Sequence, residues 1–349
     1  MAKRENLTVK AMQMYQDTED NYGKNRASDT IAIAANLETA TITAMGTGKQ
    51  LKNGDIIKVF PVLVSGDGAT AVAGETLVFD VTHYVAKHGY KKDTISVKFA
   101  GTAVNDITTA LTNAGLNTYV KAELVGTKLR LQALVEDTSF IITGGTGLAS
   151  LKLSVGDYAI HKIFKVSSNV AITDTSVNIS EFYSYGIDKL DTVASLSGLN
   201  YVCERFLGEA TGATLSVSLT EDTYKGSSKV AVQTEYGEGD STLSVDELVF
   251  NVDNLDYIKG FKKRTTSRTF FSGKSCSATY KYGSYCNPVE FHLRGYAPKS
   301  DNIGLLCIDA ERVKSPSTTI TLGKEFRTMN ETMNILANTD RVVAKIYEL

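Results

Sequence analysis

GETLVFDVTHYVAKHGYKKDTISVKFAG (Gly74–Gly101), VNDITTALTNAG (Val104–Gly115), TYVKAELVGTKLRLQAL (Thr118–Leu134) and SFIITGG (Ser139–Gly145) carry the clearest structural signal in the chain. GETLVFDV and KDTISVKFAG alternate apolar and polar residues, the two-residue period of a half-buried strand. Between Val104 and Ala114 the period lengthens: Val104, Ile107, Ala110, Leu111 and Ala114 fall on one face of a short helix. Thr102 or Asn105 is placed to cap its start, and Gly115 stands where a helix ends in a left-handed glycine. TYVKAEL, KLRLQAL and SFIITGG then read as three strands, with Val125-Gly126-Thr127 as a tight turn. The order β-β-α-β-β-β describes a small α+β module over residues 74–156.

Strand patterns continue on both sides. Upstream, DTIAIAANL and ATITAMGTG lead to the turn signal Asn53-Gly54 and then to IIKVFPVLV (Ile56–Val64), a buried strand whose Pro61 implies an edge or a bulge. Downstream, AIHKIFKVSS, VAITDTSVNISEFY, ATLSVSLT, SKVAVQTEY and TLSVDELVFNV are strand-like. IDKLDTVASLSGLNYVCERFL (Ile187–Leu207) is the one other helix candidate. VEFHLRGYAP, LLCIDAERV, TTITLGKEFRTMNETMNILAN and RVVAKIYEL complete a strand-rich C-terminal portion. Residues 1–30 are polar and weakly periodic, and read as an extended arm or a short helix. The expected fold is mainly β (α+β). A β-sandwich or half-barrel assembly core is formed by residues 31–73 and 157–349, with 74–156 inserted and 1–30 as an N-terminal arm. Deleting 74–156 is expected to leave that core folded.

Composition agrees. Trp is absent and Pro occurs only four times against seventeen Tyr and twenty-eight Gly, a balance that favours pleated strands and turns over helices. The 349 residues carry 37 basic and 39 acidic side chains. That balance gives no whole-chain attraction to nucleic acid or to an anionic membrane. No run of apolar residues is long enough to span a bilayer, and the polar N-terminus lacks the apolar core of a secretory signal.

Residues that could carry chemistry are scattered. Cys203, Cys276, Cys286 and Cys307 form no CxxC pair and read as buried thiols, although a hairpin would bring Cys276 and Cys286 close. His83 and His88 are five apart, the wrong spacing for a helical zinc pair, and read as part of a polar loop. ITGGTGLAS (Ile142–Ser150) and GTGKQLKNG (Gly46–Gly54) lack the spacing of a phosphate-binding loop and read as hairpin turns. The carboxylates of DTEDN (Asp17–Asn21) and EYGEGDS (Glu235–Ser241) read as solvated loops, not a calcium site. No nucleophile motif, cofactor fingerprint or metal set is present, so neither an enzyme nor a cofactor is expected. The most uneven charge lies in YIKGFKKRTTSRTFFSGK. There Lys259, Lys262, Lys263, Arg264 and Arg268 interleave with Phe270 and Phe271, a pattern suited to docking an acidic neighbour and less to stacking on bases.

The 74–156 pattern resembles the β-rich modules inserted in phage tail and flagellar structural proteins, over about a quarter of the chain. The strand-rich C-terminal portion is similar to that of phage tail-tube subunits, whose strands pair with a neighbour in a ring. The resemblance implies a virion structural protein made in the host cytoplasm, a tail-tube subunit whose partners are copies of itself and other virion proteins. It implies passing contact with DNA and none with a membrane. The interface candidates are then Lys259, Lys262, Lys263, Arg264, Arg268, Phe270 and Phe271, with Val342, Val343 and Ile346 of the last strand. A capsid decoration or head-associated protein is the alternative. A carbohydrate-binding or adhesin module is a third reading, weakened by the absence of Trp.

Overall fold

Isoleucines at 31, 42 and 57 come from separate strands, and in the computed structural model they meet in one core. The structure describes residues 12–17, 30–34, 36–42, 51–85, 88–170, 174–182, 196–225, 231–250, 262–264, 268–269, 275–276, 279–281, 290–298, 305–322, 327–337, 342 and 344–348. The fold is mainly β, with antiparallel pairing and two helices among the described residues. The chain divides into two compact units, Glu19–Arg205 and Met1–Thr18 with Phe206–Leu349. Strand β1 (Met12–Asp17) belongs to the second of these.

The unit Glu19–Arg205 runs β2 (Ile31–Ile33), β3 (Thr39–Ile42), β4 (Ile56–Val64), β5 (Thr76–Val85), β6 (Gly89–Lys98), α1 (Ala103–Asn113), β7 (Val120–Val125), β8 (Lys128–Ala133), β9 (Ser139–Gly144), α2 (Leu148–Leu151), β10 (Ile160–Val166), β11 (Ser176–Glu181), β12 (Leu196–Leu199) and the start of β13 (Tyr201–Ala210). Its pairings close a ring. β2 pairs β3, β3 pairs β11, β11 pairs β10 and β10 pairs β4. β4 pairs β13, and β12, separated from β13 only by Asn200, pairs β2. A closed antiparallel ring leaves no strand edge within it. Ile31, Ile42, Ile57, Val59, Phe164, Val166, Val177, Leu199 and Tyr201 are buried together as its core. Each such side chain stabilises by about 1.5–3 kcal/mol.

Pro61 does mark a bulge, but β4 is a central strand and not an edge. Lys162 of β10 stands opposite Val59 and Ile160 opposite Val62, so Phe60 and Pro61 together face one residue. The extra residue shifts the alternation by one. Ile57, Val59 and Val62 therefore join the ring's core, while Phe60 and Leu63 join a second one. That second core holds Leu77, Phe79 and Val81 of β5, Ile95 and Val97 of β6, Ile107 and Leu111 of α1, and Leu129 and Leu131 of β8.

The β-β-α-β-β-β order read for 74–156 is the order found, with short α2 added. The three-stranded sheet β6-β5-β9 is one part of it, and β7-β8 pairs onto the end of β4 at Val62–Val64. Gly115 (φ +72) ends α1 in a Schellman turn. Its N–H donates to Thr112 O, and the Leu116 N–H donates to Leu111 O at 2.8 Å. At the N-terminus no side chain caps Thr102. Instead the Asp106 carboxylate accepts from the N–H groups of Ala100 (2.9 Å) and Gly101 (3.0 Å).

β4, β13 and β8 share ladders and a core, which ties 74–156 to the strands around it, and the compact unit that holds them ends at Arg205. Two local readings also change. The glycines of ITGGTGLAS lead into α2, not a hairpin. Of the helix expected over 187–207, every described residue from Leu196 onward apart from Asn200 is in a strand. Leu199, Tyr201 and Cys203 alternate into the ring's core, which outweighs weak helical spacing.

Gly145 is required by close approach. At φ +130 a Cβ would lie 2.3 Å from Thr76 O and 2.8 Å from Leu77 Cα. Gly145→Ala is expected to lower stability by about 3 kcal/mol in urea unfolding. A loss below about 0.5 kcal/mol would show that β5 can move away.

The second unit contains β1, the rest of β13, then β14 (Gly212–Lys225), β15 (Ala231–Phe250), β16 (Lys262–Arg264), β17 (Arg268–Thr269), β18 (Ser275–Cys276), β19 (Thr279–Lys281), β20 (Glu290–Pro298), β21 (Leu305–Leu322), β22 (Arg327–Ile335) and β23 (Lys345–Glu348). Here too the pairings close: β13-β1-β20-β21-β22-β15, and β15 pairs β13. Leu207, Leu243, Val245, Phe291, Leu293, Val313 and Met333 lie buried in its core.

The two rings have one strand order. Counted along the chain, the first runs first (β2), second (β3), fifth (β11), fourth (β10), third (β4), sixth (β12 with β13). In the second, β13, β15, β22, β21 and β20 occupy the first, second, fifth, fourth and third places. The sixth place is filled by β1. The stretch expected as an extended arm or a short helix thus contributes a ladder strand: Gln13, Met14, Tyr15, Gln16 and Asp17 stand opposite Tyr296, Gly295, Arg294, Leu293 and His292.

Candidate assembly surface

The longest pairing among the described residues is the hairpin leading from β13 through β14 to β15. Gly208 stands opposite Phe250, Glu209 opposite Val249, Gly212 opposite Asp246, and so on in one register to Val217 opposite Ser241. After two shifts, at Val217/Leu219 and at Tyr224/Lys225, the ladder ends with Lys225 opposite Ala231. β22 covers the other edge of β15 only over Ser241–Val249. Among the described strands β14 pairs with β15 alone, so its second edge carries unpaired main-chain donors and acceptors. GATLSVSLT (Gly212–Thr220) has neither charge nor proline, the usual devices that blunt an edge. Leu215 packs on the core, whereas Val217 is 55% exposed.

The predicted interface residues are dispersed. Lys262, Lys263 and Arg264 form β16 and pair with Lys281, Tyr280 and Thr279 of β19 in a two-stranded ribbon. Arg268 lies in β17, opposite Cys276 of β18. Lys259, Phe270, Phe271, Val343 and Cys286 lie outside the described residues. Val342 is half-buried, and Ile346 in β23 is 59% exposed. β23 pairs with Leu306–Asp309 of β21, so the last strand finds its sheet within its own chain.

Charged clusters that sequence reading passed over are buried. Lys58 of β4 pairs with Glu204 of β13 at 3.3 Å and with Glu136 after β8, and Glu204 is fully buried. Arg130 of β8 is held by Glu123 at 2.8 Å and donates to the carbonyls of Ser197 (2.6 Å) and Gly198 (3.4 Å) in β12. It thereby fixes the bulge at Gly198 (φ +69). In the second ring, the Asp309 carboxylate accepts from Arg294 Nε at 3.1 Å and from His292 Nε2. Burial pushes that carboxyl up, but the His292 hydrogen bond and the charge of Arg294 outweigh it and hold the group well below the ordinary range. The signal for these clusters was a charged residue inside an apolar strand, as in IIKVFPVLV and EFHLRGY.

His83 is not in a polar loop. It is buried in β5, its Nε2 3.0 Å from Asp93 Oδ2 and its ring 4.2 Å from that of Tyr119. The His83 hydrogen bond, with Lys91, holds Asp93 below the usual carboxylate range. Cys203 and Cys307 are buried, as expected of structural thiols.

Among the described residues no three His, Cys, Asp or Glu side chains are grouped to hold a metal ion. No helix of the described residues is long and apolar enough to cross a membrane. These clusters neutralise charge within the fold. No protein-family model matches the chain, and no curated protein matches it.

Proposed function

We infer that this chain is a structural subunit that assembles with its own copies through main-chain pairing at the β14 edge, with a phage virion protein of the tail-tube kind as its specific identity. The observation that carries the assembly reading is that edge: fourteen residues long, paired on one side only among the described strands, and free of charge and proline over Gly212–Thr220. An incoming strand would satisfy its open donors and acceptors, and such augmentation needs little side-chain chemistry. Head-to-tail repetition of one such contact closes a ring or grows a tube. The virion identity rests on the patterns of residues 74–156 and of the C-terminal portion. The ribbon of Lys262–Arg264 with Thr279–Lys281 gathers four basic residues, a composition suited to an acidic neighbour.

Purified protein is expected to form rings or tubes of uniform width in negative-stain microscopy, with light scattering that rises with concentration. Val217→Lys places a charge on the edge and is expected to raise the concentration needed for assembly at least tenfold. Its thermal unfolding should move little, since a lone exposed substitution changes stability by only about 0.5 kcal/mol. Assembly unaffected by Val217→Lys would remove the β14 edge from the interface. A protein monomeric or trimeric at every concentration would favour the head-decoration reading instead.

A further inference from the structure

We propose that β1 is an exchanged strand: in the assembled state, residues Met12–Asp17 close the second ring of a neighbouring copy instead of their own. This rests on the self-assembly reading and names the element that would link one copy to the next.

The argument starts from the shared strand order. In the first ring the sixth place is filled by the chain that follows the fifth strand, β12 with β13 after β11. In the second ring the described strand that follows the fifth, β23, goes elsewhere and pairs with β21. The sixth place is left to β1, which is separated in sequence from every other strand of that ring by the whole unit Glu19–Arg205. The other five strands all lie within 201–335 and need nothing from β1 to be connected. Without β1 the ring is open between β13 and β20, with two strand edges facing one vacant place.

Any copy's β1 satisfies those edges equally. The ladder is the same five opposed pairs, Gln13–Tyr296 to Asp17–His292, whichever chain supplies it. Exchange therefore costs no net hydrogen bond, which is the condition under which identical elements swap between copies. Reach is sufficient. Residues 18–30 separate β1 from β2, and thirteen extended residues span up to about 43 Å, on the order of a small domain's diameter. The occupant is a second copy, because the strand that fits the place is already present in every chain.

The test uses the full chain with Tyr15→p-benzoylphenylalanine, an aromatic replacement standing opposite Arg294. Copies labelled with nitrogen-15 are mixed with equal unlabelled copies as monomers, assembled, irradiated and digested. Crosslinks from the β1 peptide to the β20 peptide are then weighed. Exchange predicts that about half of them carry one labelled and one unlabelled peptide, as random pairing of copies dictates. Crosslinks of uniform label in particles that have formed would overturn the exchange and leave self-assembly standing. Absence of particles at any concentration would sink both. Gln13→p-benzoylphenylalanine, opposite Tyr296, repeats the measurement if the first variant does not fold.

Discussion

Lys58→Ala is expected to lower the unfolding free energy of the chain by about 3–5 kcal/mol. The lysine lies between Glu204, which is fully buried, and Glu136. Removing it takes a cation away from a fully buried carboxylate and from Glu136, and that loss costs more than the pair contributes. The companion variant separates this cause from lost packing. Lys58→Met with Glu204→Gln removes both charges and keeps most of the volume, so it is expected to recover more than half of the loss. Urea unfolding followed by circular dichroism reads both. A double variant no better than Lys58→Ala would mean that the loss comes from packing on β4, not from charge.

Asp309→Asn is expected to have a comparable effect in the second ring, about 3–5 kcal/mol at neutral pH, because Arg294 would be left buried beside a neutral amide. This site also predicts a pH dependence. The folded-state pKa of Asp309 is depressed below its unfolded value of about 3.9, so the group binds its proton more weakly in the folded chain. Its contribution is therefore fully present above that unfolded value. It is lost as pH falls through the range from about 5 downward. The native chain should lose stability steeply there, and Asp309→Asn should flatten that acid limb. An equally steep limb in the variant would assign acid sensitivity to other carboxylates, with Asp93 beside His83 the first to try.

Much of the local structure was legible in the residues. Alternation located β5, β6 and β8, the Asn-Ala-Gly ending located the stop of α1, and Pro61 located the bulge in β4. Period and turn chemistry act over a few residues, and that is where they succeeded. Partnership was not legible. β7 and β8 join β4 while β9 joins β5, although all lie in one continuous pattern, because the sheet to which a strand belongs is decided by packing over sixty or more residues. The same limit hid the ring that β1 completes: MQMYQD has no pattern strong enough to declare a strand, and only the gap between β13 and β20 gives it one. Of the interface candidates, the basic run was visible as charge. The β14 edge was not, since an edge is defined by the absence of a neighbour and a sequence does not state its neighbours.

The bulge at Phe60–Pro61 gives β4 two loyalties, with Ile57 and Val59 in one core and Phe60 and Leu63 in the other. A strand with both faces committed cannot release one layer and keep the other. Native-state amide exchange should therefore report the ring β2–β13 and the block 74–156 as a single cooperative opening event, with matching free energies for the amides of Phe79, Leu131 and Phe164. Residues 74–156 and their host strand thus stand or fall together, and cutting the block away would lay bare Phe60, Leu63 and Val202 at once.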